Sequence, residues 1–135
     1  MFAVMNNPKA AYSKAGIETG VETADPHKLV LMLFEGASLA VASASLHMNR
    51  HEGADDIARK GEAISRAINI ITNGLKASLD TEAGGELAGQ LAALYDYMSA
   101  RLLHANLHDQ PAILDEVAHL LAELKGAWEQ IGSKA

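Results

Sequence analysis

The stretch LYDYMSARL, residues 94–102, sets Tyr95 and Tyr97 on either side of an aspartate. On a strand the two rings share one face. On a helix, which turns about 100° per residue, they point about 200° apart. The flanking residues decide between the two. Leu87, Leu91, Leu94, Tyr95, Met98, Leu102 and Ala105 recur at intervals that form one helical stripe, and no alternating β pattern competes. Tyr95 then sits at the edge of a core stripe, and Tyr97 belongs to another face.

The same period extends outward in both directions. TADPHKL places Asp25 as an N-cap and Pro26 at the first helical position, opening a helix to about Arg50 with a break near Gly53. A second helix is expected from about Asp55 to Asp80, with Ile57, Ile64, Ile68, Ile71, Leu75 and Leu79 as its core stripe. TEAGGE, residues 81–86, is a turn. After HDQP, with Asp109 or Gln110 as cap and Pro111 just inside, a fourth helix carries Ile113, Val117, Leu120, Leu121, Leu124, Trp128 and Ile131. Four helices joined by short turns predict an all-α, antiparallel up-and-down four-helix bundle over residues 25–135. Residues 1–24 show little period and are expected to form a leader segment, mobile or docked, with Tyr12 and Ile17 as its anchors.

The chain has 135 residues, a length that suits one domain with a real core. Absence of cysteine excludes disulfides, thiolate metal sites and a cysteine nucleophile. The net charge of −6 and the lack of a basic stripe argue against nucleic acid as a partner. No signal peptide is apparent at the N-terminus. Leu29 to Leu46 is the most apolar run, but Glu35 interrupts it and its second half is mostly small residues. It reads as a buried helix rather than a membrane insertion. LVLMLF, residues 29–34, is apolar almost all round, so it must lie centrally or be covered, the leader being the nearest candidate. Asp56 with Lys60 and Glu62 with Arg66 follow the favourable i, i+4 order and read as solvated surface pairs.

Two helices carry more apolar surface than one stripe needs. The second helix has Ala63, Ala67, Ile70, Gly74 and Ala77, more than a quarter-turn from its core stripe. The third has Ala93, Tyr97, Ala100, Leu103 and Leu107. Helix propensity explains the alanines but not Ile70, Tyr97, Leu103 and Leu107. A contiguous apolar patch marks a partner site, small residues let a helix approach closely, and tyrosine is a favoured anchor. The two faces are expected to form a groove for a bound helix, with Asp96 beside it as a polar orienting contact. A weak homodimer through the same face is the alternative.

Catalytic patterns are missing. There is no phosphate-binding G-x-x-x-x-G-K-[ST] and no G-x-S-x-G elbow. His47 with His51 and His104 with His108 are spaced i, i+4 near predicted helix C-termini, where an imidazolium is favoured by the dipole. A metal site would need further ligands, which are not visible. Glu116 and His119 make a single Glu-x-x-His, whereas a di-metal bundle needs two copies. The expectation is a non-enzymatic chain without cofactor or metal.

ADPHKLVLMLFEGA (24–37), KGEAISRAINIITNGLKASLD (60–80), GGELAGQLAALYDYMSARLLHANL (84–107) and AWEQI (127–131) together resemble FliS, the flagellin-specific export chaperones of bacteria. The likeness covers nearly the whole chain in order, and the LYDYM…RL…AN segment is its most specific part. The resemblance implies a helical bundle of the bacterial cytosol that binds the C-terminal region of flagellin. The cargo segment is disordered alone and folds into helices on the chaperone. The chaperone prevents premature polymerisation and presents the cargo to the export gate without using ATP. It also implies that Tyr12, in AAYSKAGI, lies near the cargo site, where the leader covers part of the groove when cargo is absent. Lys9 ahead of Ala10 and Ala11, and Ala100 before Arg101, depart from the pattern of many relatives.

Overall fold

The computed structural model describes residues 25–50 and 52–132. Four long helices account for most of them: α1 (Pro26–Arg50), α2 (Ala54–Asn69), α3 (Gly85–His108) and α4 (Pro111–Ile131). A π-helical turn, Ile70–Lys76, continues α2 directly. The molecule is an all-α four-helix bundle. Each helix packs on the next, and α4 returns to α1, so the four form a closed ring. Cross-links between neighbours run in opposite order along the two partners. His27 reaches Trp128 while Glu35 reaches Lys125, and Lys60 reaches Asp109 while Lys76 reaches Asp96.

The helix ends follow from local chemistry. Asp25 Oδ1 accepts the Lys28 backbone N–H at 2.7 Å, which caps α1 ahead of Pro26. Asp109 adopts φ 48° and closes α3 as its left-handed C-cap, leaving extended Gln110 to lead into Pro111 at the start of α4. The second helix ends earlier than expected. Its ladder widens at Ile70, as in the Ala77 N–H bond to the Thr72 carbonyl at 3.2 Å.

The core runs the length of the bundle. Leu33, Ala37, Ile70, Ile71, Met98, Leu102, Leu114, Val117 and Leu121 have no exposed surface. By length and hydropathy α1 could cross a membrane. Here it is a core helix packed on α2 and α4, with Leu29, Val30, Leu33 and Phe34 buried and Leu31 and Met32 half-buried. The candidate cover for this run, the leader, lies outside the described residues.

Two surface readings are corrected. Asp56 and Lys60 are buried, and they pair with other residues rather than with each other. Asp56 Oδ1 lies 2.6 Å from His47 Nδ1, and Lys60 Nζ donates to Asp109 Oδ1 at 2.5 Å and to the Asn106 carbonyl at 3.1 Å. Ile57, expected in the core, is 57 % exposed. One cause accounts for all three: α2 is rotated so that the Asp56–Lys60–Ala63–Ala67 side faces inward.

Candidate functional site

Helix α3 carries apolar side chains on opposite sides. Ala88, Tyr95, Met98, Leu102 and Ala105 are buried. Roughly half a turn away at 100° per residue, Tyr97, Ala100, Leu103 and Leu107 share an exposed face, with Leu103 at 52 % and Leu107 at 68 %. A helix at the edge of a bundle needs only one apolar side, so the second is surplus to the fold.

Polar contacts frame this strip. The Tyr97 hydroxyl donates to Glu116 Oε2 of α4 at 2.5 Å, and Arg101 Nε donates to Glu116 Oε1 at 3.0 Å. The hydrogen bond to Glu116 is the main reason the Tyr97 phenol is raised above its ordinary range. The bonds from Tyr97 and then Arg101 hold the Glu116 carboxyl below its own. Tyr97 is thereby pinned to α4, with its ring half-exposed along the strip. Asp96, expected to orient a bound helix, is engaged by Lys76 Nζ at 2.7 Å. Beside the strip, the rings of His104 and His108 lie 4.4 Å apart between centroids. Among the described residues no group of three metal-ligating side chains includes them.

The expected other wall differs. Ala63, Ala67, Ile70 and Gly74 are all buried, with Ala67 and Ile70 fully so. They come together, but on the inner side of α2 and its π turn, so they form no open groove with α3. The reason is that α2 packs on both α1 and α3. Apart from Ile57 and Ala77, which are exposed at the two ends, the two stripes seen in the sequence merge into one wide, largely buried arc. Tyr12 and Ile17 lie outside the described residues.

A second apolar feature was not foreseen. Val30, Phe34, Leu75, Leu79, Leu87, Leu91, Tyr95, Leu124, Trp128 and Ile131 line a pocket of about 210 Å³ drawn from α1, α3, α4 and the segment after α2. Each of these leucines and aromatics reads as core in the sequence, and periodicity carries no signal that distinguishes a filled core from a hollow one. Tyr95 is buried there, and burial alone pushes its phenol well above the ordinary range. Trp128 is clasped beside the pocket: its Nε1 donates to the His27 carbonyl at 2.9 Å, and His27 Nε2 lies 2.8 Å from the Trp128 carbonyl.

The sequence matches known proteins along most of its length. A family model described as "Flagellar protein FliS" matches residues 6–135. The chain is 49% identical over 125 residues to the flagellar secretion chaperone FliS of Salmonella typhimurium, covering 93% of this chain and 90% of that protein. It is 44% identical over 120 residues to the flagellar secretion chaperone FliSB of Pseudomonas aeruginosa, covering 89% and 91% respectively. Across a greater distance, it is 33% identical over 126 residues to the flagellar secretion chaperone FliS of Bacillus subtilis, covering 93% and 86%. These relatives are named as chaperones, a non-enzymatic role. With the family model matching almost end to end, the chain belongs to the FliS family of flagellar secretion chaperones.

Proposed function

We propose that this chain acts in the bacterial cytosol as the export chaperone for flagellin. It binds the C-terminal region of flagellin, prevents premature polymerisation and delivers the cargo to the export gate of the flagellar type III secretion apparatus. Family membership supports the class of activity. The observation that carries the reading is the exposed strip of Tyr97, Ala100, Leu103 and Leu107, which the bundle does not use for its own core.

A cargo segment that folds on binding must offset its ordering entropy with buried apolar area. Leucines at 103 and 107, one turn apart, match the i, i+4 rows of an incoming amphipathic helix. Ala100 lets that helix approach closely, and the Tyr97 ring, pinned by Glu116, is a pre-organised anchor that loses little entropy on binding. Ala63, Ala67, Ile70 and Gly74 support the site from beneath by packing. Tyr12 is assigned to the same site on the strength of the family resemblance, and Ile17 as the leader's other candidate anchor.

The test is titration with a peptide from the flagellin C-terminus, with and without residues 1–24. Leu103→Glu and Leu107→Glu, both on exposed positions, are expected to weaken binding at least about tenfold without lowering the melting temperature. Unchanged affinity in both variants refutes the strip as the cargo site. Sizing at several concentrations separates the alternative, a homodimer through this face, which the same variants would dissociate.

A further inference from the structure

We propose that the pocket between α1, α3 and α4 is a recognition site for an uncharged apolar group carrying one hydrogen-bond acceptor, which the Tyr95 hydroxyl engages. The lining is almost wholly apolar, with Phe34, Leu87, Leu91, Leu124 and Ile131 among its walls. Among the described residues three lining side chains bear polar hydrogens. Ser78 Oγ is committed to the Leu75 carbonyl at 2.7 Å, and Trp128 Nε1 to the His27 carbonyl at 2.9 Å. The Tyr95 hydroxyl has no hydrogen-bond partner among the described residues, although Tyr95 is only 4 % exposed. A buried donor left without an acceptor is unfavourable, and a ligand that supplies the acceptor recovers that loss.

Size and charge narrow the class further. A dry cavity of about 150 Å³ holds benzene. The 210 Å³ here therefore suits a ring with a short substituent, or a leucine- or phenylalanine-sized side chain with its neighbouring carbonyl. Among the described residues no lining side chain is charged, so an anion or cation of the same shape would lose its hydration without compensation from them. The free small molecule and the side chain of a bound protein segment share this chemistry, and the site does not depend on the flagellin reading.

Trp128 is the chain's single tryptophan and lines the pocket, so its emission reports occupancy directly. The full chain is titrated with acetophenone, with cumene as the isostere lacking an acceptor, and with benzoate as the charged isostere. Acetophenone and cumene are expected to change the emission saturably, and benzoate is not. Tyr95→Phe is expected to weaken acetophenone by roughly three- to tenfold, the worth of one net hydrogen bond, and to leave cumene unaffected. Because no described residue pairs with the hydroxyl, the same variant should melt no lower than the parent chain. Leu87→Phe, at the half-exposed rim, should weaken both neutral probes by filling the space. No saturable response, equal loss of both probes in Tyr95→Phe, or benzoate binding as well as acetophenone overturns the proposal. So does destabilisation of the unliganded Tyr95→Phe chain, which would reveal a partner for the hydroxyl. Saturating flagellin C-terminal peptide then assigns the source. Displacement of acetophenone identifies a cargo side chain as occupant, and simultaneous binding identifies a free ligand.

Discussion

Asp56 is 3 % exposed, and two donors converge on its carboxylate, His47 Nδ1 at 2.6 Å and the Glu52 backbone N–H at 2.9 Å, with the Arg50 guanidinium as an ion pair at 3.8 Å. The hydrogen bond from His47, then that from Glu52, holds its pKa below the usual 3.8. A depressed carboxyl contributes stability that is present above its unfolded pKa and lost as pH falls through the folded value. Asp56→Asn is therefore expected to lower the melting temperature at neutral pH. The gap between variant and parent should narrow only below about pH 4. Melting curves from pH 7 to pH 2 check this, and a constant gap would remove Asp56 from the acid response. Glu116 has a lowered pKa too, so the parent's acid loss will not vanish in the variant. Sequence spacing links Asp56 to Lys60, the wrong partner, because i, i+4 geometry says who can meet on one helix and nothing about which side faces a neighbour. The true partners lie nine and 49 residues away along the chain, His47 for Asp56 and Asp109 for Lys60.

At the scale of elements, caps and turns are legible because their causes are local. Asp25, Pro26 and Pro111 do in the structure what their chemistry dictates. The rotation of α2 is not local. Two stripes on one helix can be a core and an exposed face, as on α3, or two parts of a wide core, as on α2. Only the number of neighbouring helices decides, and that number is tertiary. The π turn is likewise invisible in IITNGLK, which has no residue pattern of its own. The link between α1 and α2 is more predictable. Gly53 has φ 107°, and a Cβ built on it would meet nothing within 4 Å. Gly53→Ala should thus cost backbone strain alone, about 1–3 kcal/mol, read from denaturant unfolding. A neutral result would mean that the turn relaxes freely. Leu75, 1 % exposed where the π turn meets the pocket, tests the opposite case of pure packing. Leu75→Ala should cost about 2–5 kcal/mol, towards the low end if the neighbouring pocket lets the site collapse.

For the whole molecule, the step that turns a row of helices into a ring is the return of α4 to α1. Sequence alone says that Trp128 is core but cannot say what it closes on, since its partner lies 101 residues earlier. The contact is reciprocal: each residue's side chain meets the other's carbonyl, and the rings stack with centroids 5.0 Å apart. His27 sits in the first turn of α1, where backbone groups lack helical partners, and Trp128 sits in the last turns of α4. The clasp therefore ties two ends that would otherwise fray, and it does so at the wall of the apolar pocket. His27→Ala removes the stack and leaves the Trp128 carbonyl without its side-chain partner, an expected loss of about 2–3 kcal/mol. His27→Phe keeps a ring to stack and loses only the hydrogen bond, so it should recover part of that loss. Trp128 remains as the reporter in both. If the clasp closes the ring, tryptophan emission and far-UV circular dichroism will melt together at the lowered temperature. Hydrogen exchange will then rise at both ends, residues 26–30 and 127–131. A rise confined to α1 would mean that α4 holds its place through its other buried residues, such as Leu114, Val117 and Leu121, and that the ring closes by packing rather than by this contact.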